Sequence, residues 1–230
     1  MWQFIIAVLI IGLTVFAYLG AVQLYRRYSV PFLMPILTTS VAIIVVLVLF
    51  HVPYSDYMIG GKWINALLGP CVVALAYPLY NQRKALREYA LPIAAGVLSG
   101  LIMGMLSGVL LAKLAGLDRN LILSILPKSI TTPVAIQISA GLGGVSAMTV
   151  VFVMVAGFTG AILGPSILRM MRIDSLLGKG IALGSASHAL GLSKAVEFGE
   201  LTVSMGSVSM TMSAILGSVI GPVVVWLLQL

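Results

Sequence analysis

The sequence predicts an all-α polytopic membrane protein whose core is an inverted repeat with two broken or re-entrant helical hairpins. Of its 230 residues, 60% are hydrophobic and only 8% are charged, whereas about 25% of the residues of a soluble domain are charged. A helix needs about 20 apolar residues to span a bilayer, and such segments tile nearly the whole chain. Two polar stretches, residues 126–133 and 178–200, interrupt this pattern.

The N-terminal third contains three predicted spanning helices. The first covers residues 2–24 and lacks both a preceding basic region and a small-residue cleavage site. We therefore expect a retained helix rather than a signal peptide. The second helix covers residues 31–50 and is followed by a polar connection over residues 51–62. The third covers residues 63–80 and ends before a basic loop.

The fourth predicted helix, residues 90–114, carries small residues on one side. Glycines that recur every four residues lie on one face of a helix and let another helix approach closely. We predict that residues 1–88 form scaffold and oligomerisation helices and that residues 89–230 form the core. The recurring glycines are Gly96, Gly100, Gly104 and Gly108.

Residues 126–133, with the sequence Leu-Pro-Lys-Ser-Ile-Thr-Thr-Pro, are the first interruption. Pro127 and Pro133 each remove a backbone hydrogen bond and push the preceding residue out of helical geometry, so the helix should break twice. In lipid, broken backbone is tolerated only where it is buried in protein or lines a watery cavity. Lys128 and three hydroxyl groups should therefore face one small volume, as in a site for a small polar solute.

The basic loops predict how this stretch meets the membrane. Cytoplasmic loops carry an excess of Lys and Arg, and residues 120–145 must then begin and end outside. These 26 residues suffice for two half-helices at about 1.5 Å per residue, which predicts a re-entrant hairpin with its tip at residues 128–133. The alternative is one broken spanning helix, which would place the third basic cluster outside. The clusters are Arg26 and Arg27; Arg83, Lys84 and Arg87; and Arg169 and Arg172.

Residues 175–200 form the second predicted hairpin. Several glycines in this stretch weaken any helix, and polar side chains lie among them. The stretch follows a predicted spanning helix over residues 147–168 and precedes another over residues 201–228. It should therefore dip into the membrane from the cytoplasmic side.

Two short matches indicate an internal repeat. Residues 129–139 and 185–195 each combine a polar tip with a mostly apolar arm. Downstream, Ile-Leu-Gly-Pro-Ser-Ile-Leu at 162–168 matches Val-Ile-Gly-Pro-Val-Val-Val at 219–225 at nearly the same offset. Two similar units that enter from opposite faces form an inverted repeat. Such transporter-like cores place a substrate site at mid-membrane between half-helix ends.

The polar groups at the two tips are the candidate substrate-binding residues. Half-helix N-termini carry exposed N–H groups and a partial positive charge, which bind anions such as carboxylates. A lysine and several short hydroxyl donors strengthen this preference and indicate a small organic anion. The alternative is that the hydroxyls only bond back to the freed backbone. The candidates are Lys128, Ser129, Thr131, Thr132, Ser185, Ser187 and His188.

Two ionisable residues near the second tip are candidates for ion coupling. His188 beside a substrate carboxylate could carry a coupling proton, and the alternative is a histidine that only packs. Glu197 is the other candidate, because ionisable groups at membrane depth are costly and usually functional. Lys194 lies three residues before it, so the alternative is a structural ion pair on one helix face.

Other classes of function lack a signal in the sequence. It has no zinc motif, catalytic triad, phosphate loop or dinucleotide fingerprint, so we expect neither an enzyme nor a cofactor or metal site. The single cysteine, Cys71, excludes an intrachain disulfide and a thiolate metal cluster. The net charge of +7 comes mostly from Lys and Arg in short loops, which indicates membrane topology rather than nucleic acid binding.

Four motifs together resemble the LrgB/CidB family over essentially the whole chain. They are Val-Ala-Leu-Ala-Tyr-Pro-Leu-Tyr at 73–80, Ser-Ile-Leu-Pro-Lys-Ser-Ile-Thr-Thr-Pro-Val-Ala at 124–135, Ile-Leu-Gly-Pro at 162–165 and Gly-Ser-Ala-Ser-His-Ala-Leu-Gly at 184–191. That family is usually called antiholin-like and is said to modulate murein-hydrolase export and lysis with a small LrgA/CidA-type partner. A plastid relative is a glycolate/glycerate transporter, and some bacterial relatives are associated with pyruvate uptake.

The resemblance implies a multi-pass transporter of small monocarboxylates, similar to glycolate, glycerate or pyruvate, in the bacterial inner membrane. We expect ion coupling, a homodimer and a small LrgA/CidA-type membrane partner, and the alternative is an antiholin-like regulator that does not transport. The sequence departs from the family pattern at Ile130, where relatives often carry valine. It also has Leu192 where relatives often carry threonine, so Leu192 is left out of the proposed site.

Overall fold

A computed structural model describes residues 2–28, 30, 33–74 and 76–230. Within these residues the regular structure is helical and contains no strands, as expected for an all-α membrane protein. The chain divides into two compact units, Met1–Pro70 and Cys71–Leu230. The predicted functional division after residue 88 stays a prediction.

The first unit contains α1 (Trp2–Tyr28), α2 (Pro35–Leu49) and α3 (Tyr54–Ala66). α1 packs against both other helices, and Gly60 of α3 fits closely against Ile10 and the Ala7 carbonyl of α1. α1 is long and apolar enough to cross a membrane. Most of its apolar side chains are exposed, which suits a helix that faces lipid or another protein.

The prediction for residues 51–80 is wrong in two respects. Most of the expected polar connection is helical, because α3 begins at Tyr54 immediately after Pro53. The expected single helix over residues 63–80 is interrupted at Leu67, between the end of α3 and α4 (Leu68–Ala74), and α5 (Ala76–Asn81) covers its last described part. Pro70 explains the interruption, since a proline cannot donate to the carbonyl four residues earlier, at Ala66, and its ring clashes there.

The second unit contains the three other helices of the described chain that are long and apolar enough to span a membrane. They are α7 (Ala90–Leu114), α10 (Ser146–Met170) and α12 (Glu200–Leu227). Buried apolar side chains of α7 and α12 and of the segments between them form the core. The remaining helices are α6 (Arg83–Glu88), α8 (Arg119–Ile125), α9 (Thr132–Leu142) and α11 (Leu176–Ala195), with a one-turn 3₁₀ helix at Val196–Phe198.

Helices α8 and α9 form the first hairpin. Asp118 caps α8 by accepting a hydrogen bond from the Leu121 N–H at 2.9 Å. The chain leaves helical geometry between α8 and α9, as the prolines predict. The Val145 N–H then donates to Ser124 Oγ at 2.8 Å, so the segment returns to the end at which it starts. This contact confirms a re-entrant hairpin and contradicts a single broken spanning helix.

Helix α11 and the 3₁₀ helix form the second hairpin. The backbone reverses at His188, which has φ 43° and ψ −135°. Gly191 packs against the Leu183 carbonyl, although eight residues of straight helix would separate them by about 12 Å. Further from the tip, Lys179 Nζ lies 5.1 Å from the centre of the Phe198 ring. The two arms of the second hairpin are therefore antiparallel and in contact, as the sequence predicts.

Equivalent contacts confirm the inverted repeat. Gly160 of α10 packs against Ser187 of the second hairpin, and Gly217 of α12 packs against Ile130 of the first hairpin. Gly160 and Gly217 are 57 residues apart, and so are Ile130 and Ser187. Each spanning helix therefore holds the tip of the hairpin that belongs to the other repeat.

A second pair of contacts follows the same rule one turn further along each helix. Gly164 of α10 packs against Leu183, and Gly221 of α12 packs against Leu126, again with an offset of 57 residues. Both glycines precede a proline inside the helix, which is the Gly-Pro match seen in the sequence. The repeated motif therefore marks the groove into which the opposite hairpin fits.

Candidate functional site

The two hairpin tips lie one helical turn apart at the middle of α7. A methyl group at Gly100 would come within 3.3 Å of Ser185 Oγ, and one at Gly104 within 3.2 Å of Ser129 Oγ. α7 runs from residue 90 to residue 114, so these glycines flank its central turn. The glycine face predicted from the sequence is thus the surface along which the opposed tips meet.

Lys128, the first residue of the first tip, lies against the same face of α7. Its Nζ donates to the Gly104 carbonyl at 2.5 Å, and a methyl group at Gly108 would come within 3.0 Å of it. The Lys128 residue is half-buried. In the part of the chain that the structure describes, the one ion pair joins Lys194 and Glu197, so no carboxylate there neutralises Lys128. Such an intramembrane charge is costly and indicates a functional site.

The hydroxyl groups of the two tips fall into two classes. Ser185 Oγ donates to the Ile181 carbonyl at 2.7 Å. This hydroxyl therefore bonds back to the backbone, which was the alternative to substrate binding. Among the described residues, no hydrogen bond engages the side chains of the other four candidates. They are Ser129, Thr131, Thr132 and Ser187.

The first tip also presents a helix N-terminus. α9 is 11 residues long and begins at Thr132, with Thr131 as its N-terminal capping residue. Thr131 is 8% exposed and makes no side-chain capping bond. Pro133 has no N–H, and the N–H groups of Val134 and Ala135 donate to the Thr131 carbonyl, so among the described residues only the Thr132 N–H of the first turn lacks an acceptor. This N–H and the partial positive charge of the helix N-terminus lie at the tip, where they favour an anion.

Ser187 and His188 form the second tip and pack against α10. Gly160 leaves room for the Ser187 side chain, and Gly157 leaves room for the imidazole. His188 is 3% exposed, and its Nε2–H donates to the Val153 carbonyl at 3.0 Å. The hydrogen bond to Val153 is the contact that a packing histidine would make, and it leaves Nδ1 as the nitrogen that could accept a proton. His188 also has a positive φ of 43°. At a non-glycine residue such a φ costs about 1–3 kcal/mol, and it is found mostly at functional sites.

The structure does not bring Glu197 to the tips. It lies in the 3₁₀ helix at the base of the second hairpin, with its side chain 57% exposed. Its carboxylate pairs with Lys194 Nζ at 2.6 Å. Lys194 and Glu197 thus form the structural ion pair that was the alternative to a role of Glu197 in ion coupling.

Two groups near the tips were not among the sequence candidates. Gly157 and Gly160 of α10 admit the second tip, and their sequence signal is a pair of small residues inside an apolar helix. Ser213 of α12 is buried and has an unpartnered hydroxyl. Its signal is the row of hydroxyl residues along α12. Within the described residues, no cluster of three His, Cys, Asp or Glu side chains could hold a metal ion.

These features define an all-α polytopic membrane protein whose inverted-repeat core holds two opposed re-entrant hairpins. The chain belongs to the LrgB-like family, whose model matches residues 14–227. The sequence resemblance to the LrgB/CidB family is therefore confirmed.

Full-length relatives agree with this assignment. The chain is 64% identical over 230 residues to the uncharacterized protein YxaC of Bacillus subtilis (strain 168), with all of both chains covered. It is 40% identical over 225 residues to the holin-like protein CidB of Staphylococcus aureus (strain Mu50), with 98% of each chain covered. It is 36% identical over 211 residues to the uncharacterized protein YwbG of B. subtilis, with 92% of this chain and 94% of the relative covered. No solved structure matches the chain.

Proposed function

We propose that this protein transports small monocarboxylates, of the glycolate, glycerate or pyruvate type, across the bacterial inner membrane. The observation that carries the proposal is the meeting of the two tips at the middle of α7, where Gly100 and Gly104 contact Ser185 and Ser129. Opposed half-helices that meet at mid-membrane are the usual substrate site of inverted-repeat transporters. A protein that serves only as an interaction module does not need this arrangement.

The chemistry of the tips supports a carboxylate substrate. Lys128 supplies a charge, the N-terminus of α9 supplies the Thr132 N–H, and Thr132 and Ser187 supply hydroxyl donors from different hairpins. A carboxylate is stabilised by all three kinds of group. The 2-hydroxy or 2-keto oxygen of the substrate would use the remaining hydroxyls.

Three further properties belong to this proposal. Transport is coupled to an ion, with His188 as the candidate proton carrier. The protein works as a homodimer through its N-terminal helices, together with a small LrgA/CidA-type membrane partner. It forms no covalent intermediate with its substrate and is not an enzyme.

The direct test is uptake by proteoliposomes that contain the purified protein. We expect saturable uptake of labelled glycolate, glycerate or pyruvate and no uptake of glycolamide, which has the same shape but no charge. Lys128→Met, which removes the charge and keeps much of the length, should abolish uptake. Wild-type liposomes that move none of the three acids would contradict the proposal.

A second function is favoured by the name of several relatives, the holin-like protein CidB. On that basis the chain would regulate murein-hydrolase export and cell lysis with its small partner. The two functions separate in a deletion strain complemented with a transport-dead variant. Restoration of normal lysis by Lys128→Met would show that regulation does not depend on transport.

A further inference from the structure

Three of the seven hydroxyl side chains on α12 bond to the turn that precedes them. Ser209 Oγ donates to the Gly206 carbonyl at 3.0 Å, Thr211 Oγ1 to the Ser207 carbonyl at 2.9 Å, and Ser218 Oγ to the Ile215 carbonyl at 2.7 Å. This is the common way in which a helix satisfies an internal hydroxyl. These groups therefore have a structural explanation that needs no ligand.

Ser213 and Thr202 are the two fully buried hydroxyl residues of this helix that lack such a bond, whereas Ser204 and Ser207 are partly exposed. Ser213 is 1% exposed and Thr202 is 0% exposed, and neither hydroxyl has a hydrogen-bond partner among the described residues. A buried polar group without a partner destabilises a protein, so each such group needs a specific reason. The two residues lie at different heights on α12, which distinguishes their environments.

The neighbours of Ser213 on α12 place it between the two hairpin tips. One turn before it, Ser209 Oγ donates to the Ile181 carbonyl of the second hairpin at 3.3 Å. One turn after it, Gly217 packs against Ile130 of the first tip. Residues four apart share a face of a helix, so Ser213 faces the seam at which the hairpins meet. Leu101, from the central turn of α7, also lies 3.6 Å from the position of a methyl group at Gly217.

Thr202 occupies a different place. The Thr202 carbonyl lies against Gly180, in the second turn of α11 and close to the base of the second hairpin. Its hydroxyl is therefore separated from the tips by about three turns of α12, or roughly 16 Å at 1.5 Å per residue. This gives the same helix two buried, unpartnered hydroxyls, one at the seam and one remote from it.

We propose that Ser213 is a substrate-binding residue, which donates a hydrogen bond from α12 to a monocarboxylate held between the tips. The inference rests on the proposed transport function and adds a third element to the site. The hairpins supply Lys128, Thr132 and Ser187, and Ser213 joins them from the spanning helix that contacts both hairpins. Its hydroxyl stays unpartnered because the bond it makes is to the substrate rather than to the protein.

The test compares Ser213→Ala with Thr202→Val, a near-isosteric control. Both variants remove a buried hydroxyl that has no protein partner, so both should fold with a melting temperature equal to or above that of the wild type. In proteoliposomes, Ser213→Ala should raise the half-saturation concentration for glycolate and pyruvate at least about tenfold, as expected for a lost hydrogen bond to a charged ligand. Thr202→Val should leave it unchanged. Glycolate should raise the melting temperature of detergent-solubilised wild type and Thr202→Val, and it should raise that of Ser213→Ala by less.

Each other outcome overturns the assignment. An unchanged half-saturation concentration in Ser213→Ala, with active wild type, would remove Ser213 from the site and leave the transport function intact. An equal loss in both variants would show a general packing effect. A wild type that transports none of glycolate, glycerate and pyruvate would overturn the transport function and this assignment together. If Ser213→Ala does not fold, Ser213→Cys, which keeps the size but is a weak donor, is judged by the same criteria.

Discussion

Thr132 and Ser187 present hydroxyl groups from different hairpins. Thr132 begins α9 at the first tip, and Ser187 fits against Gly160 at the second. Neither side chain takes part in a hydrogen bond within the described part of the chain, unlike Ser185. The structure thus separates two hydroxyls without a protein partner from one that bonds to its own helix, a distinction that the sequence left open.

We expect Thr132→Val combined with Ser187→Ala to abolish carboxylate transport while leaving the protein folded. Each lost donor should weaken binding by about 1–3 kcal/mol. Ser185→Ala is the matched control, since its hydroxyl bonds to the Ile181 carbonyl, and it should retain transport. Binding affinity for glycolate, measured in detergent, distinguishes the variants. Equal affinity in the double variant would mean that these hydroxyls do not contact substrate.

His188 carries the most specific prediction about coupling. A carboxylate beside the imidazole would favour its protonated form, so a proton and an anion would bind together. Its contact lies on α10 and that of Lys128 on α7, so their side chains pack against different helices. His188→Gln keeps a donor for the Val153 carbonyl but cannot take up a proton.

For His188→Gln we predict normal exchange of labelled substrate at equal pH and loss of accumulation driven by a pH gradient. Proteoliposomes with an imposed gradient measure both quantities in one preparation. Accumulation that survives the substitution would exclude His188 as the proton carrier and direct attention to sodium.

At the scale of the elements, glycines determine where the hairpins sit. Gly160 and Gly217 are equivalent in the two repeats, and each leaves no room for a methyl group beside the tip that it holds. The glycines of α11 act in the same way, because Gly180 and Gly184 bring that helix against Gly206 of α12. Small residues allow this close approach of helices in membranes.

Gly160→Ala and Gly217→Ala should each displace one tip and reduce transport by at least tenfold, with overpacking costs of about 1–3 kcal/mol. Gly141→Ala is the control, because nothing lies within 4 Å of a methyl group at that position of α9. Uptake per mole of folded protein measures the effect. Full activity in both tip variants would mean that the tips need not occupy the observed positions.

Features that the local sequence determines were predictable, and features that depend on contacts between distant segments were not. The bounds of α7 and the first hairpin were predictable, because hydropathy and two prolines determine them locally. The helical structure of α11 was harder to predict, because its glycines indicate a weak helix unless their packing against α12 is known. The break after α3 has a local cause in Pro70, which the prediction of one apolar helix passed over, whereas the partnerless Ser213 depends on tertiary contacts. Hydropathy cannot reveal which of several serines on one helix lacks a partner.

At the scale of the whole molecule, contacts within the second unit determine which helix ends lie on the same side of the core. Lys113 Nζ donates to the Leu228 carbonyl at 3.4 Å, which places the ends of α7 and α12 on one side. The first hairpin starts from that side, and the second starts from the side where α10 ends. The excess of basic residues at Arg169 and Arg172 predicts that the latter side is cytoplasmic.

The most direct test of this account is the sidedness of the two hairpins, measured by membrane-impermeant thiol labelling of whole cells. Cys71→Ser provides a cysteine-free background, into which Asn120→Cys, Ser146→Cys, Asp174→Cys and Glu200→Cys are introduced one at a time. All four positions are exposed. The account predicts that the cysteines at 120 and 146 react from outside and that those at 174 and 200 react only after the membrane is opened. Labelling of 120 and 146 from opposite sides would contradict it.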